Sequence, residues 1–211
     1  MNFYQELADV GILPVVCLKS EEELNTFEAA ILKTPIKCFE ITMRHPYSYD
    51  VIRHFKKMHP QWIVGAGTVT NSELLSLVAE LGVSYCVSPG FDESIVTKAR
   101  SMGMPFIPGC ATPSEILKAQ CADIETVKLF PAECCGGVQA LQLYASAFAG
   151  MRFLPTGGIS LDNYLSYLSC KNVLACGGSF MIPKNMLESR DANGISDTIN
   201  RCIEAVRRIR K

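Results

Sequence analysis

Three polar residues interrupt strand-like apolar segments of the sequence, and their side chains could act on a carbonyl substrate. Lys128 lies within "TVKLFPA", whereas Glu40 and Arg44 belong to "FEITMR". Side chains alternate between the two faces of a β-strand, so Glu40, Thr42 and Arg44 share one face. The glutamate and the arginine could form a structural ion pair. Alternatively, Arg44 at the strand exit could bind a substrate carboxylate or phosphate through two parallel hydrogen bonds.

The surroundings of Lys128 favour a catalytic interpretation. Val127 and Leu129 occupy the other face of its strand, and Phe130 shares its own face. Burying an uncompensated ammonium is costly, so an apolar interior favours the neutral amine. A neutral amine can attack a ketone and form a Schiff base. The alternative is a lysine whose aliphatic stem is buried while its ammonium reaches solvent between helices.

The elements that must position these residues alternate along the chain. Eight strand-like segments are each followed by a stretch with helical periodicity, such as "NSELLSLVAELG". This alternation predicts a parallel sheet, and eight units favour closure into a single compact (β/α)8 TIM barrel of the α/β class. A helix from about residue 2 to 9 would cap the bottom of the barrel. The eight segments cover residues 12 to 18, 37 to 43, 62 to 69, 85 to 90, 105 to 111, 126 to 132, 152 to 158 and 173 to 179.

Length, composition and charge indicate one globular domain over residues 1–211. Hydrophobic residues make up 48% of the chain and charged residues 19%, a balance typical of compact globular proteins. The formal net charge of -1 argues against nucleic acid as a partner. No apolar segment has the length needed to span a membrane, so we expect no membrane partner either.

The ten cysteines contain no C-x-x-C pair, which argues against zinc knuckles and predicts no metal. The N-terminus has acidic residues before a short apolar segment, unlike a signal peptide. Together these features predict a cytoplasmic protein with reduced thiols.

Glycine pairs close the last two predicted strands, in "PTGGIS" and "CGGS". Barrels that act on phosphorylated substrates often bind the phosphate with backbone amides of the loops after these strands. Gly157, Gly158, Gly178 and Ser179 are therefore candidate phosphate ligands, although glycines at strand ends also serve ordinary turns.

The motifs "FEITMR", "VGAGTV", "VSPG", "VKLFPAE", "FLPTGGIS" and "GGS", in this order and spacing, resemble the bacterial KDPG/KHG aldolases. The resemblance covers almost the whole chain. It implies a class I pyruvate aldolase that needs no cofactor, forms a (β/α)8 barrel and assembles as a homotrimer.

The resemblance also implies a role for each matching residue. Lys128 would form the Schiff base and Glu40 would shuttle protons, while Arg44 and Thr68 would bind the substrate carboxylate. Gly157, Gly158 and Ser179 would bind the phosphate. The remaining pocket residues would be Pro89, Phe130, Thr112 and Lys19.

The expected reaction is cleavage of 2-dehydro-3-deoxy-6-phosphogluconate, a phosphorylated 2-oxo acid, to pyruvate and glyceraldehyde 3-phosphate. A second expected substrate is 4-hydroxy-2-oxoglutarate, which would give pyruvate and glyoxylate. Three alternatives stay open: a pyruvate aldolase for the galactonate epimer, a phosphosugar isomerase, epimerase or synthase, and a non-catalytic barrel that binds phosphorylated metabolites.

Overall fold

The computed structural model describes residues 3–210, which form ten α-helices and nine β-strands. Residues 1, 2 and 211 lie outside this range, and with them the start of the predicted N-terminal helix. The helices α1 to α10 are Phe3–Val10, Glu21–Ile31, Ser48–Met58, Ser72–Glu80, Glu93–Ser101, Pro113–Cys121, Gly137–Ala147, Tyr164–Leu168, Lys184–Glu188 and Ala192–Ile209. The strands β1 to β9 are Ile12–Val16, Cys38–Thr42, Ile63–Gly67, Tyr85–Val87, Phe106–Ile107, Gly109–Cys110, Thr126–Leu129, Arg152–Phe153 and Cys176–Gly178. A short 3-10 helix, Glu133–Cys135, follows β7.

The strands form two parallel sheets. The larger sheet has six strands in the order β5-β4-β3-β2-β1-β9, and the smaller sheet has three in the order β6-β7-β8. Every pairing between these strands is parallel, as the alternation of strands and helices predicted. The larger sheet curls into a half-barrel, and the smaller sheet faces its open side.

The prediction of a closed eight-stranded (β/α)8 barrel is wrong, because the hydrogen-bonded ladder is interrupted at two seams. At the first seam, Pro108 splits the predicted fifth strand, so that β5 pairs with β4 whereas β6 pairs with β7. At the second seam, isolated bridges replace a ladder between the region of β8 and the region of β9. Pro155 lies within this seam. Proline has no N–H to donate, so neither residue can contribute a donor to the ladder at its seam.

Helix α1 covers the N-terminal edge of the curled sheet. Its buried residues Phe3 and Leu7 pack with interior side chains of the strands, and the Phe3 ring stacks on the Tyr85 ring at 3.9 Å between centroids. Gly65 provides the space for Tyr85, because a Cβ at this position would lie 2.1 Å from the tyrosine ring. The opposite strand faces pack against the helices in a separate, larger apolar cluster. None of the helices within residues 3–210 is long and apolar enough to cross a membrane.

Arg210, at the end of α10, connects three segments at this N-terminal edge. Its guanidinium donates hydrogen bonds to the carbonyl oxygen of Ala8 in α1 at 2.6 Å and to those of Leu174 and Val173 at 2.9 and 3.3 Å. Hydrogen bonds with a charged donor are stronger than those between neutral groups. Arg210 therefore fastens both α1 and the segment before β9 to the last helix.

We expect Arg210→Ala to lower the free energy of unfolding by about 2 kcal/mol, since three carbonyl groups lose a charged donor. Urea denaturation at pH 7 measures this loss. Arg208→Ala is the control, because it removes an exposed charge from the last turn of α10 and should cost less than about 1 kcal/mol. Equal losses for the two variants would contradict the role assigned to Arg210.

Candidate active site

A cavity of about 250 Å³ opens at the C-terminal ends of the strands, between the two sheets. Eight of the twelve site residues predicted from the sequence line it: Glu40, Arg44, Lys128, Phe130, Gly157, Gly158, Gly178 and Ser179. The other four do not: Lys19, Thr68, Pro89 and Thr112. The remaining lining residues are Val15, Val16, Cys17, Thr42, Thr156 and Ile159.

Strand β2 directs Glu40 into the cavity. Phe39 and Ile41 pack into the cluster between strands and helices, so the intervening Glu40 faces the interior. The neighbouring strand β3 leaves room for the carboxylate, since a Cβ on Gly67 would lie 1.7 Å from Glu40 Oε1. The position of the glutamate therefore explains Gly67, the second glycine of "GAGT".

Strand β7 directs Lys128 into the same cavity from the other sheet. The Lys128 side chain is 5% exposed and that of Glu40 is 1% exposed, with 3.8 Å between Nζ and Oε1. Glu40 Oε1 has no hydrogen-bond partner among the described residues. A buried oxygen without a donor is costly, typically by about 1–3 kcal/mol. This oxygen is consequently suited to accept a proton from a molecule bound beside Lys128.

The lysine amine also lies near an aromatic ring, and the strand next to Lys128 is closely packed against neighbouring backbone. Nζ lies 5.1 Å from the centroid of the Phe130 ring. Gly109 pairs with Lys128 in the sheet, and a Cβ on Gly109 would lie 2.2 Å from the carbonyl oxygen of Pro89. Pro89 thus supports the strand beside Lys128 through its backbone and is not a wall of the cavity.

Arg44 and Thr68 form a pair at the cavity mouth. Arg44 Nε donates a hydrogen bond to Thr68 Oγ1 at 3.1 Å. Thr68 has a φ of 62°, an unfavourable backbone conformation for a β-branched residue, which costs about 1–3 kcal/mol and is most often seen at functional sites. Both terminal nitrogens of the guanidinium make no hydrogen bond within residues 3–210, so they can bind a carboxylate in a bidentate manner. Thr68 orients the arginine that lines the cavity.

The loop after β8 lines the cavity with two glycines. Gly157 and Gly158 have φ values of 90° and 82°, which favour glycine. Their carbonyl oxygens accept hydrogen bonds from Glu133 N–H at 3.2 Å and from Asn163 Nδ2 at 3.0 Å. Their own N–H groups donate to no acceptor within the described chain. These donors can bind an anionic group of a ligand.

Two predicted pocket residues have other contacts. Lys19 is exposed, and its backbone N–H donates to Glu23 Oε2 at 2.8 Å. Thr112 is the N-cap of α6 and forms a capping box with Glu115. The sequence "TPSE" contains this S/T-x-x-E signature, so the capping role of Thr112 was readable without a structure.

Sequence reasoning also missed two polar residues of the cavity, Cys17 and Thr156. The period of two could have identified both. Cys17 lies two residues after Val15, which packs against the interior cluster, and Thr156 lies two residues after Leu154, which belongs to that cluster.

Two buried cysteines near the site are held as neutral thiols. Burial raises the pKa of Cys86 to about 12, and the Glu40 carboxylate contributes to this shift. Burial also raises the pKa of Cys110 to about 12, with a contribution from Glu115. Because the thiolate is the reactive form, neither thiol competes with Lys128 as a nucleophile.

Comparison with known proteins identifies a matching family. Residues 4–198 match the family model described as KDPG and KHG aldolase. The KHG/KDPG aldolase of Escherichia coli K12 is 38% identical over 196 residues, which are 93% of this chain and 92% of the relative.

Two solved structures are similar over nearly their whole length. The first is KDPG aldolase from Legionella pneumophila, with pyruvate captured as a covalent carbinolamine intermediate. Its TM-score is 0.92 at 27% identity, covering 96% of this chain and 98% of that one. The second is 2-keto-3-deoxy-6-phosphogluconate aldolase of Zymomonas mobilis with 3-phosphoglycerate. Its TM-score is 0.88 at 28% identity, covering 95% of this chain and 94% of the other.

We expect Lys128→Met to lower the free energy of unfolding by about 3 kcal/mol, because it leaves the Glu40 carboxylate buried without its partner. The double variant Lys128→Met/Glu40→Gln removes both charges and should recover most of this loss. Urea denaturation at pH 7 compares the variants. Lys98→Met, an exposed substitution on α5, is the control and should change stability by less than about 0.5 kcal/mol. A double variant no more stable than Lys128→Met would refute the coupling.

Proposed function

Because the chain belongs to the KDPG and KHG aldolase family, we propose that it cleaves 2-dehydro-3-deoxy-6-phosphogluconate through a Schiff base on Lys128. The products are pyruvate and glyceraldehyde 3-phosphate. The observation that carries the proposal is the burial of Lys128 Nζ, 3.8 Å from Glu40 Oε1, in one cavity with Arg44. Family membership confirms the aldolase predicted from the sequence motifs and leaves the isomerase and the non-catalytic barrel without support.

Formation of the imine depends on a neutral Lys128. Glu40 Oε1, 3.8 Å from Nζ, is placed to accept the proton that the ammonium must give up before the attack. The free amine attacks C2 of the 2-oxo acid to give a carbinolamine. Glu40 then returns the proton to the C2 oxygen, water leaves, and an iminium remains on the lysine.

Cleavage uses the iminium as an electron sink. Glu40 removes the proton of the C4 hydroxyl, the C3–C4 bond breaks, and its electron pair moves toward the iminium nitrogen to give an enamine. C4 becomes the carbonyl carbon of the aldehyde fragment, which leaves. Protonation at C3 and hydrolysis then release pyruvate and restore the amine of Lys128. Arg44 binds the C1 carboxylate and so holds the breaking bond in alignment with the iminium.

The phosphate of the substrate is assigned to the glycine loops. The free amides of Gly157 and Gly158, together with Gly178 and Ser179, line the end of the cavity formed by the loops after β8 and β9. The 3-phosphoglycerate in the similar Zymomonas structure supports a phosphorylated substrate. The name of the Escherichia coli relative supports 4-hydroxy-2-oxoglutarate as a second substrate, cleaved to pyruvate and glyoxylate.

The proposal includes no cofactor, because the iminium supplies the polarisation that a metal ion would otherwise provide. We further propose that the protein assembles as a homotrimer, as the family resemblance implied, and that it is located in the cytoplasm. All ten cysteines are free thiols, which supports a reducing compartment.

Pyruvate release from three substrates tests this function in an assay coupled to lactate dehydrogenase. We expect kcat/KM for the phosphorylated gluconate derivative to exceed that for 4-hydroxy-2-oxoglutarate by about tenfold or more, since phosphate contacts of about 1.4 kcal/mol suffice for that ratio. We expect its C4 epimer, the galactonate derivative, to react more slowly, and EDTA treatment to leave all rates unchanged.

Each other outcome contradicts a different part of the proposal. No pyruvate from any substrate would overturn the aldolase function. Equal kcat/KM with and without the phosphate would refute the phosphate site, and faster cleavage of the epimer would reassign the substrate. Loss of activity with EDTA would contradict the metal-free mechanism.

A further inference from the structure

A hydrogen bond lies behind the Gly157–Gly158 loop, outside the cavity. Tyr167 on α8 is fully buried, and its hydroxyl donates to Glu133 Oε1 in the 3-10 helix after β7. Neither side chain lines the cavity. The bond therefore joins the chain segments that follow β7 and β8 without contacting the reacting atoms.

Glu133 contacts both glycines of the loop. Its backbone N–H donates to the carbonyl oxygen of Gly157 at 3.2 Å. A Cβ on Gly158 would lie 2.4 Å from Glu133 Cγ and 2.6 Å from Glu133 Cβ. The stem of Glu133 therefore packs directly against the Gly158 backbone, in space that any other residue at position 158 would fill.

Helix α7 begins beside the same pair. A Cβ on Gly137, its first residue, would lie 3.0 Å from the Tyr167 hydroxyl and 3.4 Å from Glu133 Oε1. The N-terminal end of a helix favours a nearby carboxylate. The tyrosine and the helix together fix the position of the Glu133 side chain.

We propose that the Tyr167–Glu133 pair is a positioning device that holds the Gly157–Gly158 loop in its phosphate-binding conformation. Glycine has more backbone freedom than other residues, so a loop of two glycines loses affinity unless its conformation is fixed before binding. The pair thereby sets how strongly the enzyme prefers phosphorylated substrates. This inference rests on the proposed function, which assigns phosphate to the loop.

Kinetics of Tyr167→Phe and Glu133→Ala test the proposal. For the phosphorylated substrate, KM should rise about five- to tenfold, as expected for loss of a hydrogen bond to a charged group, while kcat stays within about twofold. Glu133→Gln keeps an oxygen that can accept the tyrosine hydrogen bond, so its KM should stay close to that of the wild type. Tyr164→Phe, which removes another buried tyrosine hydroxyl from α8, is the matched control and should behave like the wild type.

Two further measurements separate positioning from general damage. Exchange of the methyl hydrogens of pyruvate with D2O, followed by NMR, needs the imine on Lys128 but no phosphate, and should be equal in all these variants. The dissociation constant of inorganic phosphate, measured by calorimetry, should rise in Tyr167→Phe and Glu133→Ala by the same factor as KM.

An unchanged phosphate affinity in both variants, or parallel losses of exchange and cleavage, would overturn the proposal. Failure of the proposed function has a different signature, because the wild type would then neither exchange pyruvate nor cleave any substrate. The calorimetric comparison would still decide whether the pair organises a phosphate-binding loop.

Discussion

The buried contact between Lys128 and Glu40 is the constraint on which the rest of the site depends. The two side chains come from different sheets, β7 and β2, and meet in one cavity with both side chains almost fully buried. Placing an ammonium and a carboxylate there stabilises the fold little, and apolar residues of similar volume would serve it as well or better. The arrangement is therefore best explained by chemistry, since it keeps an amine and a proton acceptor within reach of one substrate carbon chain.

The backbone around this contact is adapted to it. Gly67 leaves the space that the Glu40 carboxylate occupies, and Gly109 lets the backbone of Pro89 approach the strand beside Lys128. The same use of missing side chains recurs at Gly158, where Glu133 packs against the phosphate loop. These three glycines thus allow close approach of a side chain or of neighbouring backbone around the site.

Local features were predictable from the sequence, whereas closure of the sheet was not. The period of two in "FEITMR" and "TVKLFPA" correctly indicated which side chains enter the cavity, because alternation is a property of each strand alone. Ladder closure depends on hydrogen bonds between distant segments, and it is interrupted at the two seams that contain Pro108 and Pro155. The pairing of Tyr167 with Glu133 joins residues 34 positions apart, and no local pattern specifies it.

Reduction of the enzyme with borohydride in the presence of pyruvate tests the central claim most directly. Borohydride converts an imine to a stable secondary amine, so peptide mapping by mass spectrometry locates the adduct. We predict one pyruvyl adduct per chain, on Lys128, and none in the Lys128→Met variant. An unmodified Lys128 peptide, or an adduct on another lysine, would contradict the assignment of the buried amine as the nucleophile.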